Sequence, residues 1–339
     1  MKFGQVPVGE AVGAVAAHSV RAGDVVVKKG TLVTSEIAQT LAQAGIETLI
    51  AARFEPGDIA EDEAALRLAR ALAGSDIAVE APFTGRSNLY AESAGVLLID
   101  ADAIHGLNAV DEGMTAATLP AYKPVVAGEM LGTIKIIPYA LPEVLLQKGI
   151  ERAGKNALRI APYTRRMVGV VSTTLPGLKP SVIDKTLAVL AKRLEPTGAR
   201  IVQERRVPHE VEALTLELAS QTNSDADLIV VFGASAIADR RDVIPAAIER
   251  AGGRVEHFGM PVDPGNLLLI GSIAGKPVIG APGCARSPKE NGFDWILHRL
   301  LANVSVTRAD IMSLGVGGLL MEIVSRPQPR EGGESEGEE

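Results

Sequence analysis

The sequence predicts an α/β protein with a three-layer C-terminal domain around a mostly parallel sheet, preceded by an α+β, strand-rich region. Three observations carry this. From Met167 onward, short apolar runs alternate regularly with segments of helical periodicity. That rhythm belongs to parallel strands covered by helices on both faces. The runs MVGVVST (167–173) and ADLIVVFGA (226–234) are mostly apolar on both sets of alternating positions, as doubly buried strands must be. Aromatics are only 3% of the chain while hydrophobic residues reach 47%, so Ala, Val, Leu and Ile fill the core.

In the N-terminal half, residues 11–27 read as two short strands around a turn at Ala22, Gly23 and Asp24. Thr34 or Ser35 caps a helix with Ile37, Leu41 and Ala44 on one face, Gly45 ends it, and ETLIAARF (47–54) is a strand. Residues 55–74 form a turn and then an amphipathic helix. Its first turn, Glu61, Asp62 and Glu63, suits the positive end of the helix dipole. Residues 78–140 read as a strand-rich lobe, and 150–166 as a helix and a strand leading into a linker.

The C-terminal elements follow in order. Strand 167–173 precedes a helix over 181–198, and strand 199–208 a helix over 209–222. Strand 226–234 precedes a helix over 240–253. Residues 254–262 and 266–282 give three further strands, and 288–303 a last helix. The predicted organisation is an accessory region over 1–163, the α/β domain over 164–327, and an acidic, disordered tail over 328–339.

The bulk properties exclude several function classes. The net charge is -7 and no Lys/Arg block appears, which argues against nucleic-acid and anionic-membrane partners. The one cysteine, Cys284, allows neither an intramolecular disulfide nor a cysteine metal cluster. The five histidines are scattered without metal-ligand spacing. The N-terminus lacks the apolar stretch of a signal peptide, and no apolar run reaches about 18 residues. A cytoplasmic protein is expected.

In open parallel sheets, ligands sit beyond the carboxyl ends of the strands. That rule selects the loops at 172–177, 207–210, 233–242 and 280–292. In the third, Gly233, Ala234, Ser235 and Ala236 are small enough to bring backbone N–H groups to a ligand. Asp239, Arg240, Arg241 and Asp242 follow, serving either a site or simple helix capping. In the fourth, Gly280, Pro282 and Gly283 force a turn. Ser287 caps the next helix with Pro288 at its first position, and Arg286 and Lys289 flank a helix start suited to phosphate. Cys284 there is either a thiol of raised reactivity or a small packed residue. His209 reads as exposed at a helix start. These loops imply a small phosphorylated ligand.

The order of these loops resembles the molybdopterin-binding domain of molybdenum-cofactor biosynthesis proteins, over about residues 166–325. VGVVSTT, with Ser172 and Thr173, stands where the family has a strand and a Ser/Thr-rich loop. FGASAIADRRDVIP stands where it has TGGTG followed by RDVT, with Asp242 at the aspartate's place. GMPVDPGNLLLIG and GAPGCARSP match a Met-Pro-Gly-type segment and a GLPGSP-like loop. VPHE stands where VPDD or VPDE is usual, so His209 replaces an acid. AVGAVAAHSV and KKGTLVTSEIAQTLAQAGIETLIAA are similar, more loosely, to accessory domains of molybdotransferases, a module also found fused to a cytidylyltransferase domain.

The resemblance implies molybdopterin or its nucleotide form as ligand. It implies a phosphate end held by Gly233, Ala234 and Ser235 and by Pro282, Gly283, Cys284, Arg286 and Ser287, with Arg240, Arg241 or Arg286 neutralising charge. If the protein is an enzyme, it implies molybdate insertion into adenylylated molybdopterin, with Asp242 and Asp239 as catalytic residues and Asp242 binding Mg²⁺. The alternatives are a non-catalytic carrier serving a nucleotidyltransferase or molybdoenzyme, and a nucleotide hydrolase of the competence-damage type. A homo-oligomer is expected.

Overall fold

The computed structural model describes residues 1–23 and 25–320. The acidic tail therefore lies outside the described residues. The chain divides into two compact units, one of Met1–Ser93 with Leu97–Ile160, the other of Ala94–Val96 with Ala161 onward.

The second unit contains the predicted α/β domain. Its elements are β1 (Met167–Thr174), α1 (Pro180–Leu194), β2 (Arg200–Pro208), α2 (Val211–Gln221), β3 (Leu228–Phe232) and α3 (Val243–Arg250). They continue as β4 (Arg254–Phe258), β5 (Leu269–Ile273), β6 (Lys276–Ala281), α4 (Gly292–Leu301) and α5 (Arg308–Met312). The six strands form one sheet in the order β2–β1–β3–β6–β5–β4. β1 pairs in parallel with β2 and β3, and β3 with β6, while β5 runs antiparallel to both β6 and β4. The mostly parallel α/β sheet read from the sequence is the one observed.

Side-chain alternation assigns the two faces. Val171, Ile229, Val231 and Val278 pack with Leu214 and Leu218 of α2 and Ile244, Ala247 and Ile248 of α3. On the other face, the ring of Phe232 lies 6.5 Å from that of Phe293 in α4. Leu228, Ile229, Val230 and Val231 are all fully buried. Each such side chain contributes about 1.5–3 kcal/mol relative to exposure, which holds the middle of the sheet rigid and fixes where its strand ends point.

The first unit has two cores. In one, strands Lys2–Pro7 and Val15–Ala16 pair antiparallel with Thr48–Arg53, and helix Ser35–Gln43 packs Leu41 into the centre. Thr34, not Ser35, is its cap, with Oγ1 accepting from Ile37 N–H at 3.3 Å. In the other, helix Glu61–Leu72 lies with a four-stranded sheet of Ile77–Val79, Arg86–Ala91, Met130–Ile136 and Met114–Thr118.

Two readings need correction here. The strand-rich lobe contains a helix, Ala101–Asn108, capped by Asp100 and anchored by buried Ile104 and Leu107. Gly106, a poor helix former, weakens its sequence signal. The helix expected from residue 150 is Glu143–Ala153, beginning directly after Pro142. Among the described residues, no helix is long and apolar enough to cross a membrane.

Candidate functional site

The carboxyl ends of β1, β2, β3 and β6 lie side by side, because those four strands are parallel neighbours. Their loops are cross-tied. Thr173 is buried at the end of β1, and its Oγ1 accepts from Ala234 N–H at 2.8 Å. The same hydroxyl lies 2.8 Å from His209 Nδ1, so three strand ends meet on one oxygen. His209 is half-buried and engaged there, which corrects its reading as merely exposed. From the β6 loop, Arg286 Nη2 donates to Gly233 O at 2.7 Å.

Ser172, Thr173, Gly233, Ala234 and the segment Pro282–Arg286 are thus brought together. Gly233 has a reason other than ligand approach: an added Cβ would lie 2.6 Å from Ser235 O, so the loop's own backbone demands glycine. At Gly283 the opposite holds. It is exposed, and an added Cβ meets nothing within 4 Å.

The charged part of the β3 loop is spent locally. Asp242 caps α3, with Oδ1 accepting from Val243 N–H at 2.7 Å and Oδ2 from Ala238 N–H at 3.1 Å. Asp239 and Arg241 form an exposed ion pair at 2.7 Å, and the guanidinium beside Asp239 holds its carboxyl below the usual range. Arg240 is exposed and reaches back to Val255 O at 3.5 Å. Ser235 is exposed and bonds only to the adjacent Ala236 O. Among the described residues, no group of three His, Cys, Asp or Glu is arranged to hold a metal ion. Both carboxylate oxygens of Asp242 are thus engaged by backbone N–H groups of its own loop and helix.

The β6 loop also differs from its expected form. Ser287 and Pro288 do not start α4. Residues Gly283–Arg286 form one 3₁₀ turn, and α4 begins at Gly292 with Asn291 as its cap. Asn291 and Asp294 make a reciprocal capping box, and Gly292 N–H donates to Pro264 O at 2.9 Å. These bonds already satisfy the helix N-terminus, so it is not the phosphate cradle that the Ser-Pro pair suggested. Ser287 Oγ instead accepts from Lys289 N–H at 3.3 Å.

Arg193 of α1 holds this loop in place. Its Nε donates to Asp294 Oδ1 at 2.5 Å, and its Nη groups to Ala285 O at 2.9 Å and Ser287 O at 2.5 Å. Asn291 Nδ2 adds bonds to Cys284 O and Lys289 O. Cys284 Sγ lies 3.6 Å from Asn291 Oδ1, and burial pushes its thiol pKa up. This setting fits the reading of Cys284 as a small packed residue. Sequence reading missed Arg193, whose partners lie about a hundred residues away. It also missed Asn291, although the N-x-x-D spacing before an apolar run was there to find.

Residues 168–303 match the family described as a probable molybdopterin binding domain, and residues 5–53 match a domain of unknown function. No curated protein matches the chain. Among solved structures, it is similar to a molybdopterin biosynthesis moea protein from Pyrococcus horikosii, with 16% identity over 89% of this chain and 75% of that one, at a TM-score of 0.33. It is also similar to a molybdenum cofactor biosynthesis protein B, with 14% identity over 42% of this chain and 96% of that one, at a TM-score of 0.31. Residues 168–303, which hold the six-stranded sheet and its cross-tied strand-end loops, are thus the part of the chain that matches a probable molybdopterin binding domain.

Proposed function

We propose that the carboxyl edge of the six-stranded sheet binds molybdopterin or its nucleotide form, with the phosphate end among Ser172, Thr173, Gly233, Ala234 and the Pro282–Ser287 loop. One observation supports this above the others: three strand-end loops of small residues are bonded to one another at a single edge, through Thr173 to Ala234 and Arg286 to Gly233. Such a network is pre-organised, so binding need not bear the cost of ordering the loops.

The test is to purify the protein from cells that accumulate molybdopterin, denature it, and oxidise the released material to its fluorescent pterin derivative. Roughly one pterin per chain is expected from a filled site. Gly283→Asp should lose it. A Cβ at Gly283 has open space, so the fold tolerates the change while the new carboxylate repels the phosphate. Absence of pterin from the wild-type protein, where a known binder retains it, would sink the reading.

A second reading concerns what happens to the ligand. Molybdate insertion would make Asp242 and Asp239 the catalytic pair. The commitment of Asp242 to the α3 cap and of Asp239 to Arg241 favours a carrier instead, one that hands its ligand to a nucleotidyltransferase or a molybdoenzyme. Turnover of adenylylated molybdopterin with molybdate by the protein alone would restore the transferase.

A further inference from the structure

We propose that Arg286, with the hydroxyl of Ser172 on the same face of the sheet, takes the phosphate group of the ligand, so that this site meets the phosphate charge with a guanidinium and not with a divalent cation. The inference rests on the reading above and assigns a role to two residues within it.

The first observation is an uncompensated cation. Arg286 is half-buried, with Nη1 on Thr186 Oγ1 at 3.3 Å and Nη2 on Gly233 O at 2.7 Å. Its guanidinium lies 5.8 Å from the centre of the Phe232 ring. None of these partners carries charge. Among the described residues, no carboxylate forms an ion pair with it, and burial alone pulls its pKa down. Arginine has five N–H donors, and two are accounted for here. Arg193, by contrast, is buried against Asp294. A partly desolvated cation without a counter-charge gains when an anion arrives to complete it.

The second observation is independent. Ser172 is 2% exposed, and its Oγ is buried without a hydrogen-bond partner. Its Cα pairs in register with Phe232 of the neighbouring parallel strand, so the two side chains share a face. That face carries the Phe232 ring on which Arg286 rests. Thr186 completes the wall from α1, its own hydroxyl donating to Val182 O at 2.8 Å. A guanidinium with spare donors and an orphaned hydroxyl on one face suit the oxygens of a phosphate. The carboxylates that a metal would use, Asp242 and Asp239, are already engaged elsewhere.

The experiment titrates the full chain with inorganic phosphate and with pyrophosphate by calorimetry, in the presence and absence of EDTA. Arg286→Gln should weaken binding by about ten- to a hundredfold, as expected for hydrogen bonds between charged groups, and Ser172→Ala by about three- to tenfold, the worth of an ordinary hydrogen bond. EDTA should change nothing. Ligand-free Arg286→Gln should melt close to wild type, because the bonds it loses to Gly233 O and Thr186 Oγ1 are offset by relief of a charge that nothing in the protein balances. Unchanged affinity in Arg286→Gln, or loss of wild-type affinity with EDTA, overturns the assignment. Should Arg286→Gln melt early, Arg286→Lys decides: it keeps the charge, and affinity no better than that of Arg286→Gln also overturns it. Phosphate binding through Arg286 in a protein that never retains pterin would leave this site standing and remove the pterin reading. Retained pterin with Arg286-independent phosphate binding would do the reverse.

Discussion

The loops after β3 and β6 sit at the same sheet edge and read alike in sequence, each small residues followed by charges, yet they use those charges in opposite ways. After β3 the charged groups largely serve their own loop. Asp242 caps the helix that follows it, and Asp239 pairs with Arg241 two residues away. After β6 the loop is held from outside, by Arg193 and the Asn291–Asp294 box, while its own cation, Arg286, has no counter-charge. A charged cluster in a sequence is therefore a weak sign of a site. A charge left unbalanced after folding is a stronger one, because burial makes it costly.

The sharpest way to break this comparison is at Arg193. Its side chain is 8% exposed and joins α1 to three carbonyls of the loop as well as to Asp294. Arg193→Ala leaves a nearly buried carboxylate without its partner and should cost about 3–5 kcal/mol in a denaturant melt. It should also abolish pterin retention, since Arg286 is carried on the loop that Arg193 fixes. A loss below about 1 kcal/mol, the level of a surface pair, would show that the loop holds itself and that the contrast is false.

Asp242 probes the other loop, with a smaller effect. Removing a helix cap costs about 0.5–2 kcal/mol, and Asp242→Ala should fall in that range. Asp242→Asn keeps an oxygen for one backbone N–H and should lose less. The carrier reading expects both variants to retain pterin. Loss of a measured turnover in Asp242→Asn, with stability intact, would return a chemical role to this carboxylate.

The sheet was legible because its signals are local and periodic. Apolar runs such as LIVVF bury both faces of β3, and Gly252 ends the α3 turn with a positive φ of 81°. The strand-end loops were legible for the same reason: strand order and direction alone decide which loops meet. The β6 loop was misread at Ser287–Pro288, where a Ser-Pro pair imitates a cap and first helical turn. The helix starts later because Asn291 can bond both ways with Asp294, whereas the Ser287 hydroxyl accepts from Lys289 N–H with no reciprocal partner three residues on. Arg240, Arg241 and Arg286 could not be ranked from sequence. Whether a guanidinium is paired depends on what folding brings to it, and the walls around Arg286, Thr186 and Gly233, come from separate elements.

The smallest expected effect closes the comparison from the other side. Asp239 and Arg241 are the most conspicuous charges of the β3 loop, but their side chains are 53% and 91% exposed, and they bond to each other. Water screens such a pair and already solvates each partner, so neither ligand binding nor folding has much to gain from it. Asp239→Ala and Arg241→Ala should leave the melting temperature, phosphate affinity and pterin retention at wild-type values, and the double variant should equal either single one. If Arg241→Ala alone weakened phosphate binding as far as Arg286→Gln does, exposure would have failed as a guide. The anion would then be shared by both loops, and the division of labour between them would have to be redrawn.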